Sequence, residues 1–375
     1  MSEAAQVGPL RIVKREARVM QLPTSEPRAP STPPPVSVRR LNLAQRVLRI
    51  VSWISLATIL AATTALWFVS ERTWWGTVLT FLPRHAFLAA PALLLVVSLF
   101  VYRRMILVNL AGILLAAFPL MGARVPLALS AQEGDGLRVV SCNVQRYEPD
   151  FDSVLREITS HRPDVVALQE ALWIDARLGQ TFPGWHTIQE DEYWIGSRFP
   201  LKRIGVCRSK RFDRISGLSV EIEAPRGPIV LHNLHLTTAR FGFVPLSVSS
   251  VLDGSGPAFV DKYTRWRREE ALECRADVDR HGSKRPQLIV GDFNTPTVSD
   301  IYCQAWHGFA NAFDEAGCGF GYTAPCTTHR HWFNDVPWVR IDHILADDHW
   351  SVSACGVGEG NGSDHRLIWA VLKPR

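Results

Sequence analysis

Three apolar runs crowd into the stretch from Ile50 to Met121, more than a soluble core fed by so short a segment can absorb. Ile50–Val69 holds 20 residues without a charge, the length that crosses a bilayer core. Phe87–Tyr102 and Met105–Met121 follow, split by Arg103 and Arg104, and read as a helical hairpin with a tight charged turn. Three transmembrane helices are therefore expected over residues 47–125, making the chain an integral membrane protein with the lipid bilayer as partner. Residues 1–46 are basic, with seven prolines in the first 40 and no apolar periodicity, and read as a disordered arm. A secretory signal is the weaker account of the first run, because 49 residues precede it. Ala128-Leu129-Ser130 resembles a small-residue cleavage site, so release of the C-terminal part is the lesser alternative.

Charge supplies an orientation. Arg39, Arg40, Arg46 and Arg49 crowd the start of the first run, and Arg103–Arg104 fill the second turn. Arg72, Arg84 and Arg124 are more thinly spread on the other side. Positive-inside bias places the N-terminus in the cytoplasm, and three spans then put the C-terminal domain outside it; two spans would reverse this. The formal net charge of +5 belongs to the first third, since residues 131–375 hold 27 Lys/Arg against 32 Asp/Glu. A basic footprint for nucleic acid is thus missing from the C-terminal part. All seven cysteines lie there without a CxxC pair, which argues against a zinc ribbon or a thioredoxin-like motif. Cys303, Cys318 and Cys326 share a loop-rich stretch where an oxidising compartment can pair two of them, and Cys142 reads as a small buried hydrophobe.

From residue 137 onward, apolar β-branched segments alternate with turns. Strands are expected at Leu137–Val144, Asp164–Glu170, Tyr193–Ile195, Ile204–Arg208, Leu218–Glu223, Ile229–Leu236, Gln287–Val290, Val339–Leu345 and Arg366–Leu372. Phe151, Val154, Leu155 and Ile158 mark a helix that Pro163 stops, and Tyr263–His281 marks a charged amphipathic one. This order predicts sheet layers covered by helices. Residues 240–260 break the pattern and read as a long loop over the site or against the membrane surface.

Polar residues recur where these strands end. Asn143, Gln169-Glu170, Asn233 and His235, Asp292 and Asn294, Asp342-His343 and Asp364-His365 each sit at a strand end, near one, or just before the last strand. Rigid strand ends can hold side chains in fixed relation. A lone Asp-His or Gly-Asp is most often structural; six such signals in order are not. The pieces Ser141-Cys142-Asn143, Leu168-Gln169-Glu170, Ile195-Gly196-Ser197-Arg198-Phe199-Pro200, Asn233-Leu234-His235-Leu236, Gly291-Asp292-Phe293-Asn294, Arg340-Ile341-Asp342-His343 and Ser363-Asp364-His365 resemble the endonuclease/exonuclease/phosphatase family, a metal-dependent, deoxyribonuclease-like (DNase-I-like) group. The resemblance spans 137–375 and implies a four-layered α/β sandwich over residues 131–375 that hydrolyses phosphate esters with a divalent cation, usually Mg²⁺, with Mn²⁺ as a substitute.

The chemistry of the residues agrees. A strand-end carboxylate such as Glu170 suits a hard, oxygen-loving cation, with Asn143 and Asp364 to complete its shell. The resemblance implies that His365 acts on the scissile phosphate, oriented and kept charged by Asp342. Asp292 and Asn294 alternate along what reads as extended chain and should share a face, one handling water and the other a phosphoryl oxygen. His235 is a second phosphate donor, and Arg198 either another or a solvated turn residue. Which group takes the proton from water stays open. His343 departs from the family pattern and reads as supporting or packed. The basic runs Lys202–Arg214 and Arg265–Arg268 read as lipid or phosphate contacts, or as solvated faces. The expected function is a membrane-anchored phosphoesterase acting on a phosphorylated substrate, lipid-linked phosphate or nucleic acid, with no protein partner. A nuclease is one alternative and a silent binding module of the same fold another.

Overall fold

The computed structural model describes residues 41–126, 136–148, 150–173, 176–282, 285–326, 336–360 and 362–375. Nearly all of the basic arm and the Ala128-Leu129-Ser130 tripeptide lie outside the described residues. Two parts of the chain make up the described body. The first is helical: α1 (Leu43–Val69), α2 (Trp74–Phe81), α3 (His85–Val101) and α4 (Ile106–Leu115), the last prolonged by a π turn over Ala116–Leu120. Helix α1 thus begins four residues before the expected boundary at 47. Two helices, α1 and the run Arg103–Leu120, are long and apolar enough to cross a membrane. α2 and α3 make a third only as a pair bent by 65°. α1 and α3 run antiparallel, Gln45 Nε2 near the start of α1 donating to Val101 O at the end of α3 (3.3 Å). At the other end, Trp67 Nε1 donates to Pro119 O (3.4 Å). Trp53, Phe100 and Leu107 stay exposed on the flanks.

The second part is a sandwich of two six-stranded sheets. Its strands are β1 (Leu137–Asn143), β2 (Val165–Gln169), β3 (His186–Glu190), β4 (Tyr193–Ser197), β5 (Leu201–Ser209), β6 (Arg214–Ala224), β7 (Gly227–His235), β8 (Gln287–Asp292), β9 (Ala310–Asn311), β10 (Asp342–Ala346), β11 (Trp350–Val357) and β12 (Ile368–Pro374). Its helices are α5 (Phe151–Ser160), α6 (Ala176–Thr181), α7 (Arg240–Phe243), α8 (Val248–Asp253), α9 (Ser255–Gly282), α10 (Asp300–Ala305) and α11 (Ala312–Ala316). One sheet runs β11-β12-β1-β2-β4-β3 and the other β5-β6-β7-β8-β10-β9. Val139, Val165, Ile195, Val220, Leu231, Val290 and Ile344 meet between the sheets in a core closed to water. Helix α5 lays Phe151, Val154, Leu155 and Ile158 on the outer face of the first sheet, and α9 and α10 cover the second. Four layers result, α/β/β/α, as the strand-helix order required.

The expected strands stand with ends shifted by a few residues, and three more appear. β3 (His-Thr-Ile-Gln-Glu) is too polar for its pattern to show, β9 has two residues, and β11 carries a bulge between Val352 and Ala354 that breaks the alternation. Residues 240–260 are not a loop: they fold as α7, α8 and the first turn of α9, with Ser247 and Ser250 forming a capping box. The expected pairing among Cys303, Cys318 and Cys326 is corrected, since Cys207 of β5 is bonded to Cys274 of α9 and those three thiols are free. Cys142 is buried, as a small hydrophobe should be.

Candidate active site

Sheet register decides which polar residues can meet. β1 and β2 are parallel, with Asn143 beside Gln169; β7 and β8 are parallel, with His235 beside Asp292. β10 runs antiparallel to β8 and sets Asp342 opposite Asp292. Ends of β1, β2, β7 and β8, the start of β10 and the segment before β12 therefore share one pole of the sandwich. Gly291 is required for this. Its φ is +132°, and a Cβ there would sit 1.9 Å from Leu234 O of β7. Beyond the strand ends the chain turns sharply at two residues in left-handed backbone, Glu170 (φ 55°) and Asn294 (φ 49°).

Asp292 Oδ2 is the hub. Asn294 Nδ2 donates to it at 3.0 Å and Asn143 Nδ2 at 3.3 Å, while His235 Nε2 and His365 Nε2 each lie 3.7 Å away. Asp292 and Asn294 do meet, but not because the segment is extended: Asn294 folds back, its own N–H donating to Asp292 Oδ1 (2.9 Å). Asn143 Nδ2 also donates to Glu170 Oε1 at 3.1 Å, and Asn143 Oδ1 accepts from Gln145 N. In this arrangement Asn143 offers hydrogens to two carboxylates, and ligating a cation requires the amide to turn over. His365 Nδ1 lies 2.9 Å from Asp342 Oδ2, and Thr323 Oγ1 accepts from the N–H groups of Ile341 and Asp342. Asp364 is fixed through its backbone, its N–H donating to Gln145 Oε1 (2.9 Å).

Two partners of the site escaped the sequence reading. Glu192, in the turn between β3 and β4, takes Nδ1 of His235 at 3.1 Å, and Arg214, at the start of β6, bonds both Glu192 and His235 O. The Glu190-Asp191-Glu192 run was the available signal, and nothing local says which of the three turns inward. Among the other candidates, Arg198 is at the far end of β4, donating to Pro163 O and pairing with Asp164, with its guanidinium over Trp185. It is the turn arginine, not a phosphate contact. Asn233 ties the sheets together, donating to Leu168 O and accepting from Gln169 Nε2. His343 is fully buried between Asn311 and Thr295 O, and burial holds its pKa down to about 4. Most of the Lys202–Arg214 run is spent on Glu190, Asp213, Trp266 and Glu192. A cavity of about 650 Å³ lies at the opposite pole, lined by Phe199, Pro228, Arg285 and Trp350, and shares no residue with this cluster.

Negative charge is in excess here. Burial raises Asp292, and although His365 and His235 pull the other way it settles at about 6. Asp364 is raised for the same reason, only partly offset by His365. Burial would lower both imidazoles, yet Asp342, Asp292 and Asp364 hold His365 well above its ordinary value. Glu192 and Asp292 likewise hold His235 above its own. Oxygen donors of Asp292 and Asp342 and a His365 nitrogen lie within 4.8 Å of one another. Glu170, more exposed than Asp292, brings its Oε1 to 4.0 Å from His235 Nε2. A set of hard oxygen donors with surplus negative charge fits a divalent cation.

A family model described as the endonuclease/exonuclease/phosphatase family matches residues 140–365. No curated protein matches the chain. Among solved structures, the 3′ phosphatase NExo from Neisseria, bound to product DNA hairpin, is 17% identical, with a TM-score of 0.47 over 62% of this chain and 98% of its own. TDP2 from D. rerio, complexed with single-strand DNA product, is 15% identical (TM-score 0.47, 64% and 100%). The mannosyl-6-phosphatase of Bacteroides thetaiotaomicron is 14% identical (TM-score 0.46, 63% and 99%). The sandwich and its polar cluster define a metal-dependent phosphoric ester hydrolase with the DNase-I-like fold. The chain belongs to the endonuclease/exonuclease/phosphatase family.

Proposed function

We propose that the protein is a membrane-anchored, Mg²⁺-dependent phosphoesterase whose site faces lipid head groups on the extracytoplasmic side. One observation carries the reading. A single side chain, Arg267, reaches from Glu71 just past apolar helix α1 (2.7 Å) to Asn294 O beside Asp292 (2.8 Å), so the cleft stands one residue from the membrane helices. The rim agrees: α7, α8 and the turn between them, which follow His235 after four residues, expose Phe241, Val244, Val248 and Leu252, and Phe243 packs edge-on against Phe81 of α2. An apolar rim suits an amphiphile entering from the bilayer. The Cys207–Cys274 bond suits an oxidising compartment, in keeping with the arginine bias that puts the N-terminus in the cytoplasm.

Glu170 and Asp364 would hold the cation, with Asn143 fixing Glu170. Positive charge held at those two carboxylates would offset the negative charge that develops on the phosphoryl oxygens. Asp292, ionised between two imidazoles and supplied with hydrogens by Asn294 and Asn143, takes the proton from the attacking water. His365 and His235, held charged by Asp342 and Glu192, donate from Nε2 to phosphoryl oxygens. Asn294 keeps Asp292 aligned rather than binding phosphate itself, since its Nδ2 is spent on Asp292 and Leu236 O.

The test is a substrate panel given to the full chain in detergent with Mg²⁺: phospholipid and polyprenyl diphosphate in mixed micelles, plasmid DNA and RNA. Turnover of a micellar phosphate above that of either nucleic acid is expected. Preferential cleavage of DNA or RNA would establish the nuclease alternative, and no turnover of any member would leave the fold as a binding module.

A further inference from the structure

Three residues, Ser70, Glu71 and Arg72, separate the end of α1 from Thr73, the cap of the Trp-rich α2, and one of them is an acid sunk into the hydrolase domain. Glu71 is 2% exposed and sits in left-handed backbone (φ 51°). Its Oε1 accepts from Arg267 Nη1 of α9, and its Oε2 accepts from the Ser299 hydroxyl and from the N–H of Ile301 (3.3 Å). Arg268 donates to Glu71 O at 2.9 Å. Arg267 is buried too, and its other hydrogens go to Thr237 O (Nε, 2.9 Å) and Asn294 O (Nη2, 2.8 Å), with its guanidinium over the Phe81 ring at 5.3 Å. Thr237 follows His235 by two residues, and Asn294 follows Asp292 by two. The guanidinium thus grips both site-bearing segments just past their strands, one of them at a residue in strained left-handed backbone.

A buried guanidinium needs a counter-charge, and without one it draws water or swings away. Among the described residues, Glu71 is the carboxylate that pairs with it. The other ion pairs between the two parts among the described residues, Arg72–Asp300 and Arg124–Asp314, are partly exposed and screened, and neither reaches the site. We propose that Glu71 is a positioning residue for the hydrolase site: through Arg267 the membrane-helix turn fixes the Asn294 and Thr237 segments, and with them Asp292 and His235. The helices complete the site as well as anchoring it.

The experiment uses the full chain in lipid nanodiscs, as wild type, Glu71→Gln, Glu71→Ala, and Glu71→Ala with Arg267→Ala. Turnover of bis(p-nitrophenyl) phosphate is normalised to folded protein, and backbone hydrogen exchange is followed in parallel. Glu71→Ala should lower kcat about 10–100-fold with KM within about twofold, the size of effect that a slight misplacement of reacting groups produces. Glu71→Gln, which keeps an oxygen for Arg267, should recover part of the loss, and the double variant should be no worse than Glu71→Ala by more than about twofold. Amides of residues 236–239 and 292–295 should exchange about tenfold faster in Glu71→Ala, with those of β4 unchanged. Wild-type kcat in folded Glu71→Ala, additive losses in the double variant, or unchanged exchange around Asn294 would each overturn the proposal. The kinetic arm rests on the phosphoesterase reading and the exchange arm does not. An inactive wild type therefore refutes that reading while exchange still decides the role of Glu71. If Glu71→Ala does not accumulate folded, Glu71→Gln must show faster exchange at the same amides, and its failure to do so overturns the proposal.

Discussion

His365 and His235 aim Nε2 at the same oxygen of Asp292 from two different sheets, each braced behind by a carboxylate, Asp342 or Glu192. Such bracing fixes the tautomer and keeps the ring charged. His365→Ala should therefore lower turnover about 10²–10⁴-fold with an unchanged thermal midpoint, and Glu192→Gln should lower it by a smaller factor, about tenfold, both read from steady-state kinetics on folded protein. A structural histidine behaves differently. His232 is enclosed, accepting from Ser219 and donating to Gln287 Oε1, and burial lowers its pKa to about 3. Between that value and the unfolded value near 6.5 only the unfolded chain takes the proton. Stability should then fall as pH drops below 6.5, by up to ~1.4 kcal/mol per pH unit from this group. Chemical denaturation at pH 7 and pH 5 reads the slope; His232→Gln, which removes the titrating ring, should flatten it, and an unchanged slope would contradict the assignment. Asn143, Glu170, His235, Asp292, Asp342 and His365 were legible because each lies at or beside the end of an apolar strand or in a distinctive motif of three or four residues. Glu192, Arg214 and Arg267 were not, since an acid in a polar turn and arginines in basic runs look like solvated surface until the strands bring their partners to them.

At the scale of elements, period and punctuation carried most of the information. Helix α5 was legible from four apolar residues on one face, and those four seal the outer side of the first sheet. Ile158→Ala should cost about 2–5 kcal/mol by denaturant titration, because the side chain is fully buried and its neighbours cannot close the gap. β3 and β11 were illegible for opposite reasons, one too polar and the other bulged. The α7–α8 segment was missed because helices of four and six residues are too short to repeat the 3.6-residue period, although the break in pattern marked the place. Gly291→Ala tests the pole of the sandwich: Leu234 O leaves no room for a methyl group, so stability should drop and Asp292 should shift with it. A variant with wild-type turnover and midpoint would show that Leu234 O leaves room for a Cβ on Gly291.

On the scale of the molecule, the sequence separated an apolar helical region from an acidic sandwich, but it offered no sign that they share a buried ion pair. Glu71 and Arg267 are 196 residues apart. The membrane-spanning count follows the same logic: α1 and Arg103–Leu120 qualify alone, whereas α3 needs its bent partner. A cytoplasm-active reporter fused after Arg375 should stay silent if three spans place the sandwich outside, and activity there would reverse the proposed orientation. Most direct of all is the cation dependence of phosphoester hydrolysis by the full chain in nanodiscs. Turnover should vanish on chelation, return with Mg²⁺, and require more Mg²⁺ in Glu170→Ala than in wild type. Hydrolysis that persists through chelation, or a Glu170→Ala titration that superimposes on wild type, would contradict a cation held by that carboxylate.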